Sequence, residues 1–133
     1  MPKWPTSMVR FETEFRVVVL GEPLTLYRAC HGLDRRAVER TLMSNFQARR
    51  EPPHPADLHA TVLHMAVSMF QKRENLERMA RRRPDRIGTH IATVALEPGH
   101  GVCIADTGSA GHWSVWGLPL QLMAFVTGVQ AVG

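Results

Sequence analysis

A chain of 133 residues, 44% hydrophobic and 21% charged, fits one domain with a real core rather than two. Its longest apolar runs, residues 17–20 and 63–70, are too short to cross a bilayer, and the N-terminus shows no signal-peptide pattern, which predicts a soluble, cytoplasmic protein with no membrane partner. The formal charge of +4 comes largely from Arg49–Arg50 and from Arg78, Arg81, Arg82, Arg83 and Arg86, a pattern that serves either as a solvated helix face or as a patch for nucleic acid or nucleotide.

Residues 1–11 carry Pro2, Trp4 and Pro5 without periodicity and read as an irregular lead-in, leaving 12–133 as a single α+β domain. A β-branched run predicts a strand over 15–20, joined by a Gly21-Glu22-Pro23 turn to a neighbouring strand over 24–30. Asp34 is placed to cap a helix reaching to about residue 47, with Leu33, Ala37, Val38, Leu42 and Phe46 on its buried stripe. The three prolines of residues 51–55 predict a surface loop. A helical turn over 56–61 and a strand within 65–70 follow. Leu76, Met79 and Ala80 then mark the apolar face of a helix over 72–83, which Pro84 ends. Strands over 89–96, 102–105 and 112–116, a helix over 118–126 opened by Pro119, and a closing strand over 129–132 complete the chain. The expected architecture is short mixed or antiparallel strands in a split sheet with three or four helices.

Within the strand over 24–30, alternation places Leu24, Leu26 and Arg28 on one face and Thr25, Tyr27 and Ala29 on the other. Arg28 therefore emerges beside buried aliphatics. A guanidinium there needs an anion, either a structural Asp or Glu or the phosphate or carboxylate of a ligand. In the strand over 112–116 the same alternation groups His112, Ser114 and Trp116, offering a group that can shuttle protons and an aromatic ring that can stack. The competing reading makes the tryptophans core and His112 a turn cap.

Other chemistries find little support. His54, His59 and His64 are spaced five apart, which does not align them on one helix face, so no metal site is expected. Cys30 and Cys103 lack CxxC spacing and read as buried free thiols. There is no GxSxG elbow and no Walker loop, and Gly99, Gly101, Gly108 and Gly111 read as turn residues.

The succession LYRACHG at 26–32, SNF at 44–46, VSMF at 67–70 before an Arg-rich helix, IATVAL at 91–96 and GHWSVWG at 111–117 resembles the small ADP-ribosyltransferase-like fold of bacterial mono-ADP-ribosyltransferases and toxins. In that fold an arginine strand, a serine-bearing middle strand and a late strand surround the nicotinamide end of NAD. The resemblance spans roughly residues 24–126. It implies that Arg28 holds the NAD phosphates or ribose, that Ser68 supports the nicotinamide ribose, and that Phe70 or Trp116 shelves the nicotinamide. His31 is a second candidate for the ribose, since another branch of the fold uses a histidine there. The late strand of the family ordinarily supplies a glutamate. Here residues 112–117 contain no acid, so Asp106 or His112 would have to take that part. The implied activity is NAD-dependent transfer to a macromolecular acceptor, protein or nucleic acid, by a modifying enzyme or a toxin, the latter with a neutralising protein partner. The missing glutamate keeps open an alternative, a non-catalytic binding module whose basic surface meets a protein or nucleic acid.

Overall fold

The computed structural model describes residues 17–44, 47–48, 63–107 and 111–132. They form one small α+β domain of six strands and four helices. In chain order these are β1 (Leu24–Cys30), α1 (Arg35–Thr41), β2 (Val67–Phe70), α2 (Arg73–Arg82), α3 (Pro84–Ile87), β3 (His90–Leu96), β4 (Cys103–Asp106), β5 (His112–Trp116), α4 (Pro119–Met123) and β6 (Val126–Ala131). Every pairing is antiparallel, in the order β4-β5-β2-β1-β3-β6.

The sheet has a weak centre. β1 pairs with β3 from Leu24↔Leu96 through Cys30↔His90, and β2 pairs with β5 along its whole length, but β1 and β2 are in register only at Tyr27↔Phe70. Two three-stranded halves therefore meet at one residue pair.

Alternation along the strands builds the core. Leu26, Val67, Met69, Val94, Leu96, Ile104, Trp113 and Val115 point to one face, where Val38 of α1, Leu42 at its C-cap and Leu122 of α4 cover them. On the other face Ala29 and Ile91 pack with Leu76 of α2, Tyr27, Phe70 and Ile87. A third cluster joins Met65, Ala105 and Trp116. Removing the wholly buried Leu26 side chain to alanine would cost about 2–5 kcal/mol.

Helix boundaries follow local chemistry. Asp34 caps α1 through its Oδ1, which accepts from the Ala37 N–H at 3.1 Å. The helix stops at Thr41, short of residue 47, because Ser44 and Gln47 bond each other's backbone: Ser44 Oγ accepts from the Gln47 N–H at 3.1 Å and Gln47 Oε1 from the Ser44 N–H at 2.9 Å. Leu33 falls outside the buried stripe and is 64% exposed. In α2, Leu76 and Ala80 are buried, while Met79 stands 40% exposed at a cleft edge. Pro84, expected only to end that helix, also opens α3. The final helix ends at Met123 because β6 begins at Val126.

One expected neighbour is elsewhere. Val17 bridges Ala105, and the Val18 N–H donates to the Ile104 carbonyl at 3.0 Å, so this segment lies along β4 rather than beside β1. β1 lies inside the sheet between β2 and β3, whereas β4 is an edge strand with a side open to it. Residues 15–16, Phe46, the proline loop over 51–55, the turn over 56–61, His54 and His59 lie outside the described residues. Cys30 is buried and Cys103 half-buried, and the two are not joined in a disulfide. Among the described residues no helix is long and apolar enough to cross a membrane.

Candidate functional site: a basic cleft at the split in the sheet

Where β1 and β2 part, a cleft of about 620 Å³ opens, bounded by α1 on one side and by α2 and α3 on the other. Arg28, Ala29 and His31 come to it from the β1 end, and Ser68 and Phe70 from β2. Arg40 of α1 and Arg86 of α3 complete a lining that contains three arginines and no Asp or Glu.

Arg28 occupies the gap itself. Its Nη1 donates to the Ser68 carbonyl at 2.9 Å and its Nε to the Thr41 carbonyl at 3.0 Å. Thr41 Oγ1 in turn donates to the Ala29 carbonyl at 2.5 Å, which ties the end of α1 to β1. No structural Asp or Glu meets it: among the described residues Arg28 has carbonyl partners only. Carbonyl dipoles hold the group in place without neutralising it. Burial pushes the Arg28 pKa below its usual value, with the neighbouring Cys30 thiol acting in the opposite sense. A guanidinium carries five N–H donors, and two are used here, so three remain for a ligand.

Ser68 and Phe70 lie on the same face of β2, opposite Ser114 and His112 of β5. The His112 ring meets Phe70 edge to face, with centroids 5.3 Å apart. Thr107 Oγ1 lies 3.2 Å from His112 Nδ1 and 2.6 Å from Ser114 Oγ, a short hydroxyl chain that fixes the imidazole. Burial lowers the His112 pKa, Asp106 acts to raise it and Arg28 to lower it further. The imidazole is thus held toward its neutral form.

Of the residues singled out in the sequence, Arg28, His31, Ser68 and Phe70 line the one cleft. Three do not. His112 is not in the cleft lining, and its ring meets Phe70, which is. Asp106 ends β4 in register with Trp113, a strand further from the split. Trp116 lies past the Val67↔Val115 pair and is buried against Met65 and Ala105, as the core reading of that tryptophan had it. Sequence reasoning missed Arg40 and did not separate Arg86 from the basic run. Their shared feature, a position beside the β1–β2 gap, is a property of the fold.

Among the described residues no three His, Cys, Asp or Glu side chains group as metal ligands. Comparison with protein-family models, with curated proteins and with solved structures finds no match.

Proposed function

We propose that this chain is an ADP-ribosyltransferase-like domain that binds NAD in the cleft at the β1–β2 split and acts on a macromolecular target. One observation carries the reading: Arg28, His31, Ser68 and Phe70, drawn from stretches far apart in sequence, border one cleft that has cations and no carboxylate in its lining. The residues fit the dinucleotide. The spare donors of Arg28, with Arg40 and Arg86, suit a diphosphate through paired hydrogen bonds, His31 and Ser68 suit ribose hydroxyls, and the half-buried Phe70 ring suits a flat heterocycle. When bound, NAD supplies an ADP-ribosyl group linked to a cationic leaving group.

The protein's own part in transfer would be orientation and charge stabilisation. Here the lining itself favours a second reading, a nucleotide-binding module without transfer. No acid borders the cleft, and His112 is not in its lining. Thermal unfolding with and without NAD tests binding, and release of nicotinamide separates the two readings. The domain reading requires a rise in Tm at millimolar NAD, and the catalytic version also requires nicotinamide release.

A further inference from the structure

The cleft's cations continue beyond its interior. Arg40 belongs to α1, whose Val38 packs on one face of the sheet, and Arg86 belongs to α3, whose Ile87 packs on the other, so the two stand on opposite sides of the split. Both are exposed and have no carboxylate partner among the described residues. Arg35 and Arg36 on α1, and Arg82 and Arg83 at the α2–α3 junction, are likewise exposed. Within α2, by contrast, Glu77 engages Arg73 at 2.5 Å and Arg81 at 3.1 Å, so the acid there is spent on the helix's own arginines.

We propose that this rim docks a single strand of nucleic acid, with Arg40 and Arg86 taking backbone phosphates on either side of the mouth. Two observations favour a nucleic acid over an acidic protein. The basic residues of the rim are all arginine, whose planar fork pairs with phosphate and stacks on bases, where lysine serves only as a point charge. Among the described residues the rim also offers few of the apolar anchors of a protein interface: of the large exposed hydrophobic residues Val19, Leu33, Met79 and Leu120, only Met79 borders the cleft. A single strand is the form proposed, because its unpaired bases are free to stack on the arginine planes. This docking needs no NAD, and because Arg40 and Arg86 also serve the proposed diphosphate, strand and NAD should compete for the mouth.

Fluorescence anisotropy of labelled single-stranded RNA and DNA of about 20 nucleotides tests it, in the absence of NAD and over a range of salt. The full chain should bind with an affinity that falls steeply with salt. The double variant Arg40→Ala, Arg86→Ala should bind at least about tenfold more weakly, its log–log salt slope shallower by about 1.4, or about 0.7 for each lost phosphate contact. Both side chains are exposed, and an unchanged Tm would show that the variant is folded. Arg40→Lys with Arg86→Lys should keep most of the slope. Absence of binding, a double variant indistinguishable from wild type, or polyglutamate competing as well as RNA would overturn the proposal, the last assigning the rim to an acidic protein. Loss of the NAD response with strand binding intact would remove the NAD reading and leave this one standing.

Discussion

Arg28 Nη1 donates to the Ser68 carbonyl at 2.9 Å, across the gap where β1 and β2 cease to pair. The side chain stands in for ladder hydrogen bonds that the parted strands do not make, and it holds the Thr41 carbonyl at the end of α1 as well. Arg28 is thus a brace for the split and a source of unspent donors within it. Replacing it with alanine leaves two carbonyls without their donor, which should cost about 1–3 kcal/mol and lower Tm. Chemical denaturation measures this. A variant as stable as wild type would mean that the brace is dispensable and that the arginine is retained for the cleft alone.

Gly88 makes a second, independent point about the same end of β1. Its φ is +143°, and a Cβ there would fall 2.6 Å from the Cys30 carbonyl oxygen. Both the backbone conformation and the space exclude a larger residue. Gly88→Ala should lose at least about 1–3 kcal/mol by denaturant titration, since backbone strain and a main-chain collision add. A loss within experimental error would show that the α3–β3 junction shifts freely.

His112 gives the protein a pH dependence of known sign. Its pKa is depressed below the ordinary 6.5, first by burial and also by Arg28, against the opposing effect of Asp106. The unfolded chain therefore binds a proton here more readily than the folded one. The stability this group contributes is fully present above pH 6.5 and is lost as pH falls through the depressed folded value. His100 is depressed by burial as well, so the whole protein should weaken on the acid side for two reasons. Comparing urea midpoints of wild type and His112→Asn across this range isolates one group: the variant should lose less stability on acidification. An identical slope would mean that the imidazole is not desolvated.

Much of the fold was legible in the sequence because it rests on local patterns. The strand at residues 112–116 and the grouping of His112, Ser114 and Trp116 follow from period-two alternation, and Asp34 announces the start of α1. What stayed hidden depends on partners remote in sequence. Pattern alone set the segment around Val17 beside β1, yet the availability of strand edges sends it to β4. Periodicity carried α1 on to residue 47, whereas the Ser44–Gln47 exchange of hydrogen bonds ends it early. For the cleft, strand alternation pointed to Arg28 and the family resemblance to His31, Ser68 and Phe70, while Arg40 and Arg86 carried no local mark. Trp116 misled as a shelf because a tryptophan in a strand has the same signature in a core as in a site.

Ser68 separates binding from stability. Its carbonyl, not its hydroxyl, receives Arg28, so Ser68→Ala keeps the brace and should change stability by no more than about 0.5 kcal/mol. Ser68 is nevertheless part of the cleft lining. The variant should keep its Tm and bind NAD several-fold more weakly, measured by thermal shift at increasing NAD. Equal loss of both would make Ser68 a structural residue only.

The central claim is that the cleft takes NAD, and isothermal titration of NAD into the full chain tests it most directly, with Arg28→Lys as the comparison. Lysine keeps a positive charge but cannot present a fork to a diphosphate while holding both carbonyls. Saturable one-to-one heat for wild type, with affinity reduced about tenfold or more in a folded Arg28→Lys variant, is the predicted result. No heat at millimolar NAD, or equal affinity in the two proteins, would contradict it.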